Sequence, residues 1–167
     1  MQNKRIGEQT LSFQNPIAIT SFASIVGPKE GKGPLGNGFD YVLPDNLYGQ
    51  KSWEKTEQKM AEHSLNIALA KKNYLPKDLD FYLAGDLLNQ IIPSSFTGRS
   101  LGVPFLGLYG ACSTLVEGLV LGSIIIDGGF GKKVAVSSSS HHDTAERQLR
   151  YPTEMGVQRT MTAQWTV

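Results

Sequence analysis

Cys112, the one cysteine of the chain, is the side chain best suited to covalent chemistry. It lies in the first turn of a predicted helix, residues 111–127, which follows a predicted strand, residues 103–109. A cysteine at the beginning of a helix is stabilised as a thiolate by unpaired N–H groups and by the helix dipole, and a thiolate can attack an acyl group. The alternative is that Cys112 is a small buried hydrophobic residue, which is the commoner role of a free cysteine.

Two other polar side chains follow predicted strands. Asp86 comes just after residues 79–84, and His141 just after residues 133–139. The carboxyl ends of parallel strands gather at one edge of a sheet, where α/β folds bind ligands. We therefore expect Asp86, His141 and Cys112 to lie in or near one cleft. The alternative for Asp86 is a loop residue that caps a turn.

The pair His141 and His142 is followed by Asp143, a combination that could indicate a metal site. Adjacent residues of an extended segment point to opposite faces, and no other histidine or cysteine has the spacing of a zinc ligand. We therefore expect neither a metal nor a cofactor.

Arg147 and Arg150 are suited to binding a dianion, because a guanidinium pairs with a carboxylate through two parallel hydrogen bonds. The alternative is that both arginines pair with acidic residues of the same loop, residues 144–154. The sequence leaves the two interpretations open.

The elements that would position these side chains alternate between strands and helices. The predicted strands are residues 16–26, 79–84, 103–109 and 133–139, and the predicted helices are residues 53–72, 94–101 and 111–127. This alternation predicts an α/β fold in which helices cover a sheet. Residues 27–50 are rich in glycine and proline and read as a long loop, which its aromatic residues indicate is packed.

The predicted helix over residues 111–127 is apolar on nearly every face except at Glu117. A helix of this composition is typically buried. Gly118 and Gly122 lie four residues apart, so that another backbone could approach this helix closely.

The composition excludes several classes of protein. A chain of 167 residues is long enough for a single domain with a core. A formal net charge of +1 gives no basic surface for nucleic acid or for a membrane. The longest apolar run, residues 118–126, is too short to cross a bilayer, and residues 1–13 have no apolar core typical of a secretory signal.

The strand, the sequence Gly-Ala-Cys-Ser at 110–113 and the glycine-spaced helix resemble the nucleophile element of thiolases and ketoacyl synthases. Those enzymes use two further catalytic groups from the second half of a longer, duplicated chain. Seven motifs are more specific and resemble the stage V sporulation protein AD family over about residues 7–158. They are residues 27–30, 33–36, 83–90, 110–114, 126–130, 144–148 and 150–154. Residues 159–167 diverge from the pattern.

The resemblance implies a single thiolase-like N-terminal half-domain over residues 1–167, with a mixed sheet and a buried nucleophile-type helix. It also implies a dipicolinic acid pocket formed with Asp86, Cys112, His141, Arg147 and Arg150, and no catalysis. The expected role is dipicolinate uptake into the forespore, with a connection to spore germination. The expected location is peripheral, on the cytoplasmic side of the forespore or spore inner membrane, and the expected partners are membrane proteins of the same sporulation operon.

Two alternatives stay open at this point. One is an acyltransferase that uses Cys112 as its nucleophile, and the other is a truncated, non-functional fragment. Because the family's two halves pack through their buried helices, one half alone should expose a large apolar surface along residues 111–127. We therefore expect a homo-oligomer or poor solubility.

Overall fold

The structure, a computed structural model, describes residues 4–146. Its strands are β1 (Arg5–Ile6), β2 (Thr10–Leu11), β3 (Ile25–Val26), β4 (Tyr41–Val42), β5 (Phe81–Gly85), β6 (Phe105–Gly107) and β7 (Val134–Ser138). Its α-helices are α1 (Pro28–Gly31), α2 (Trp53–Ala70), α3 (Ile92–Leu101), α4 (Thr114–Asp127) and α5 (His142–Ala145). The alternation of strands and helices confirms the predicted α/β fold.

A three-stranded parallel sheet in the order β6-β5-β7 forms the centre of the fold. Tyr82 pairs with Phe105 on one side of β5 and with Ala135 on the other. Helices α2 and α3 cover one face of the sheet, and α4 packs on β5 and β7. The short strands lie apart from this sheet, β1 antiparallel to β2 and β3 parallel to β4.

Helix α2 begins where the sequence predicts. Ser52 is its N-cap, and the Ser52 hydroxyl accepts a hydrogen bond from the N–H of Lys55. Ala61, Leu65 and Leu69 are buried at a spacing of four residues, and Leu65 and Leu69 pack on Tyr82 of β5. Full burial of one leucine side chain stabilises a fold by about 1.5–3 kcal/mol, so this stripe anchors α2 to the sheet.

The strand predicted over residues 16–26 is wrong for most of its length, because only Ile25–Val26 pairs with another strand. The side chains of Ile19 and Phe22 are exposed. An apolar, β-branched sequence forms a strand only where a second strand offers its backbone groups, and β4 offers two residues. The long loop after β3 is packed as expected, with Tyr41 and Tyr48 both in contact with the ring of His63.

Burial of α4 on all sides is also wrong for these residues. Its glycine face lies on the sheet, with Thr114, Gly118 and Gly122 buried. Its other face is exposed, and Val116 is 62% exposed to solvent. The expectation of a large exposed apolar surface on this side is therefore confirmed. None of the helices within residues 4–146 has the length and apolar character to cross a membrane.

Candidate functional site

The carboxyl ends of the three central strands place the predicted site residues at one edge of the sheet. Asp86 directly follows β5, Cys112 lies in the turn between β6 and α4, and His141 lies three residues beyond β7. The strand ends are in register, since Gly85 pairs with Ser138 and Ala84 with Gly107. A parallel sheet thus gathers three segments that are distant in sequence.

Asp86 is buried, and both of its carboxylate oxygens accept hydrogen bonds. Oδ1 accepts from the N–H of Leu88 at 2.9 Å. Oδ2 accepts from the N–H of Ser94 at 2.9 Å and from the Ser94 hydroxyl at 2.7 Å. Asp86 therefore closes a turn and satisfies a free N–H group at the beginning of α3.

Cys112 is exposed, which excludes the buried hydrophobic role in this chain. It lies in a short 3-10 turn, Ala111–Ser113, and Ala111 has the left-handed backbone angle φ 47°. The Ser113 hydroxyl donates to the carbonyl of Gly110 at 2.7 Å, and the Thr114 hydroxyl accepts from the N–H of Gly110 at 3.1 Å. This sharp turn presents the thiol to solvent in front of helix α4.

His141 is buried, and both of its ring nitrogens are used. Nδ1 accepts a hydrogen bond from the N–H of Asp143 at 3.2 Å, which makes the other nitrogen the protonated one in the neutral ring. Nε2 is therefore the donor to the carbonyl of Asn46 at 2.7 Å. His141 thus attaches the end of β7 to the long loop. His142 lies on the surface and pairs with Asp143.

Glu57 of helix α2 is a buried acid at this edge of the sheet that the sequence analysis missed. Its Oε1 lies 2.8 Å from the Ser139 hydroxyl, and its Oε2 lies 3.1 Å from the Thr144 hydroxyl. Burial raises the pKa of Glu57 above its ordinary value, and the negative charge of Asp86 adds to this rise, against the hydrogen bonds that favour the ionised form. A signal was present in the sequence, because Glu57 precedes Ala61 by four residues and so continues the buried stripe of α2.

A cleft of about 810 Å³ borders this region on the side of the long loop. Trp53, Leu47, Asp45, Asn46 and Asp143 are among the residues that line it. Asp86, Cys112 and His141 do not line it, so the cleft is next to the predicted site and separate from it. Arg147 and Arg150 lie outside the described residues. Within residues 4–146, no group of three or more histidine, cysteine or acidic side chains is arranged to hold a metal ion.

Comparison with known proteins gives one family. The family model described as Stage V sporulation protein AD (SpoVAD) matches residues 7–167. Stage V sporulation protein AD from Bacillus subtilis (strain 168) is 46% identical over 164 residues, which are 98% of this chain and 48% of that protein. The chain therefore spans about half the length of this curated relative.

Among solved structures, the fold is similar to that of 3-oxoacyl-[acyl-carrier-protein] synthase III from Aquifex aeolicus VF5. The similarity covers 53% of this chain and 30% of that chain, with 23% sequence identity and a TM-score of 0.48.

Proposed function

This chain belongs to the stage V sporulation protein AD family, and from that membership we propose that it binds dipicolinic acid and does not catalyse a condensation. Dipicolinic acid is a planar pyridine with two carboxylates, so a site for it needs donors for two anionic groups and a surface for the ring. The observation that supports the proposal is that Asp86, Cys112 and His141 each follow a strand of the parallel sheet, at its carboxyl edge.

The two buried acids at this edge of the sheet, Asp86 and Glu57, repel a dianion less than two free carboxylates would. Two N–H groups and one hydroxyl donate to Asp86, and the raised pKa of Glu57 favours its neutral form. The positive end of the α4 dipole lies beside Cys112 and attracts an anion. Arg147 directly follows Glu146 and Arg150 is three residues further, so both can supply guanidinium groups from the segment that His141 begins.

The wider role is part of the same proposal. A dipicolinate-binding protein of this family would aid uptake of dipicolinate into the forespore, in contact with membrane proteins of the same operon. It would be peripheral to the forespore or spore inner membrane and would connect to germination through the stored ligand. Because the relative is about twice as long, the family's second half would complete the pocket.

Isothermal titration tests the binding proposal directly. Dipicolinate should give a saturable heat, and benzene-1,3-dicarboxylate, which lacks the ring nitrogen, should bind more weakly. The double variant Arg147→Gln/Arg150→Gln should lose most of the affinity, whereas Lys132→Gln, an exposed cation at the other end of the sheet, should keep it. Absence of any heat with dipicolinate would contradict the proposal for this chain and support the non-functional fragment.

A second candidate, an acyltransferase, is favoured by one observation. Cys112 is an exposed thiol at the beginning of a helix, directly after the left-handed Ala111. A nucleophile for acyl transfer requires this kind of presentation. Saturable binding of acetyl-coenzyme A in place of dipicolinate in the same titration would favour this candidate.

A further inference from the structure

A buried network of side chains attaches the segment after β7 to helix α2. The Ser139 hydroxyl lies 2.8 Å from Glu57 Oε1, and the Thr144 hydroxyl lies 3.1 Å from Glu57 Oε2. The same Thr144 hydroxyl lies 2.8 Å from the carbonyl oxygen of His141. Glu57 and Thr144 are each 1% exposed or less, so water does not compete for the contact between them.

The hydroxyl of Thr144 has one hydrogen but lies within hydrogen-bond distance of two oxygen atoms. The contact with the carbonyl of His141 is the shorter, at 2.8 Å against 3.1 Å for Glu57 Oε2, and a carbonyl oxygen can only accept, so we assign the hydrogen of Thr144 to that carbonyl. The hydrogen of Ser139 is used on Glu57 Oε1. The contact between Thr144 and Glu57 Oε2 then needs a third hydrogen, which only the carboxyl group can supply.

We propose that Glu57 is a neutral carboxylic acid in the folded protein, and that its Oε2 donates to Thr144 and so holds the segment 139–146 on helix α2. Glu57 is on this account a positioning residue. Its contacts fix Ser139 and Thr144 on either side of His141.

The surroundings of Glu57 favour the neutral acid. Strands β3 and β7, which pack on α2, carry no ionisable side chain, and α3 contributes only the exposed Arg99. Helix α5 contributes His142 and Asp143, which pair with each other, and Asp86 adds a negative charge that opposes ionisation. Among residues 4–146 no lysine or arginine pairs with the Glu57 carboxyl group. A buried carboxylate without such a partner is costly, and uptake of a proton removes its charge.

The consequence concerns the placement of His141 and of the chain that follows it. An ionised Glu57 could no longer donate to Thr144, which would then have one hydrogen for two acceptors. The segment 139–146 would then be held on helix α2 by fewer hydrogen bonds. This inference does not depend on which ligand the protein binds.

Nuclear magnetic resonance can follow the side-chain carboxyl carbons during a pH titration. Glu57 should titrate with a midpoint above the ordinary glutamate value of 4.5. A midpoint at or below that value would overturn the proposal. The measurement uses the unmodified chain and so does not depend on the folding of any variant.

Amide hydrogen exchange of Asp143 and Ala145 in two Glu57 variants tests the positioning role. The amide group of Glu57→Gln can donate to Thr144 and accept from Ser139, so exchange should stay slow and should no longer depend on ionisation at this position. Glu57→Ala should exchange about tenfold faster or more at these amides, or fail to fold, because the buried hydroxyl of Thr144 and the half-buried hydroxyl of Ser139 lose their partner. If Glu57→Gln exchanged as fast as Glu57→Ala, the neutral acid would not be the form that holds the segment.

Discussion

Asp86 holds the beginning of helix α3 through Ser94, from which it accepts both the backbone N–H at 2.9 Å and the hydroxyl at 2.7 Å. The turn between them is strained, since Gln90 and Ile91 have positive φ angles of 63° and 44°. A β-branched residue in this region is unusual and costs about 1–3 kcal/mol. The hydrogen bonds of Asp86 offset this cost and keep the turn closed.

Replacement of Asp86 should lower the free energy of unfolding, whether or not a ligand is bound. Asp86→Ala leaves the N–H groups of Leu88 and Ser94 buried without an acceptor, so we expect a loss of about 2–4 kcal/mol in the free energy of unfolding. Ser94→Ala removes one of the three hydrogen bonds and should cost about 1 kcal/mol. Urea denaturation measures both. Equal stability of Asp86→Ala and the unmodified protein would show that the acid is retained for another purpose.

Asp86→Arg tests the binding site more severely, because it adds a long cation at a residue that is 2% exposed. It is informative for dipicolinate binding only if circular dichroism shows that the variant folds. A folded variant with unchanged affinity would place the ligand elsewhere.

The stability of the protein should fall as the pH rises through the pKa of Glu57. This pKa is raised above 4.5 in the folded state, so the folded protein holds the proton more tightly than the unfolded chain does. The stabilisation by protonated Glu57 is complete below the ordinary glutamate pKa of 4.5 and is lost as the pH rises through the pKa of Glu57 in the folded state.

The glutamine of Glu57→Gln cannot ionise. Above pH 4.5, the free energy of unfolding of this variant should therefore depend less on pH than that of the unmodified protein. Urea midpoints at several pH values between about 5 and 8 measure the two slopes. The acids with lowered pKa, Asp40, Asp80 and Asp127, change their charge below 3.8 and do not contribute in this range. Identical slopes for both proteins would mean that Glu57 is ionised throughout.

The sequence predicted those elements whose signals are local. Helix α2 begins at Trp53 as predicted, directly after its N-cap Ser52, and helix α3 ends at Leu101 as predicted, directly before Gly102 with φ 67°. The positions of Asp86, Cys112 and His141 at one edge of the sheet could be predicted, because the carboxyl ends of parallel strands lie at the same edge. Their ligand contacts stay a prediction.

The features that the sequence analysis missed or predicted wrongly depend on contacts between residues that are distant in sequence. Residues 16–24 have the composition of a strand, but pairing is a property of two segments and only β3 finds a partner. Glu57 was missed because its environment comes from residues about 80 positions later in the chain, at Ser139 and Thr144. The composition of α4 predicts that the helix is apolar, but not which of its faces another element covers. Only the face that contains Gly118 and Gly122 packs on the sheet.

Cys112 should be alkylated but should not be acylated. The thiol is exposed, so iodoacetamide should modify it completely. Acyl transfer also needs a base, and His141 uses both ring nitrogens within the fold. Intact mass after incubation with acetyl-coenzyme A should show no adduct. A stoichiometric adduct that is absent in Cys112→Ser would contradict the binding-only proposal and favour the acyltransferase.

The exposed face of helix α4 should cause self-association. Val116 and Val120 are 62% and 44% exposed on this face, and contiguous apolar surface favours contact between copies. Light scattering should show oligomers at high concentration, and Val116→Lys should shift them toward the monomer. Leu75→Lys introduces the same cation at an exposed leucine away from α4 and should have little effect. A monomer at high concentration for the unmodified chain would contradict the expectation.

Gly118→Ala should destabilise the protein more than Gly122→Ala does. A Cβ atom at Gly118 would overlap Val136 of β7 and lie 3.1 Å from Leu108, whereas at Gly122 it would lie 3.3 Å from Val134. Each alanine gains about 1 kcal/mol of helix propensity, and overpacking costs about 1–3 kcal/mol. We therefore expect a net loss of up to about 2 kcal/mol for Gly118→Ala and a change near zero for Gly122→Ala.

The cause of this difference can be isolated with Val136→Ala, which removes the methyl groups that the new Cβ would meet. The double variant Gly118→Ala/Val136→Ala should be more stable than the sum of the two single changes predicts, because the added methyl fills part of the space that Val136 leaves. Urea denaturation of all four proteins gives the coupling energy. A sum that is exactly additive would mean that α4 can move away from β7 at little cost, and that the glycines do not determine how closely this helix lies on the sheet.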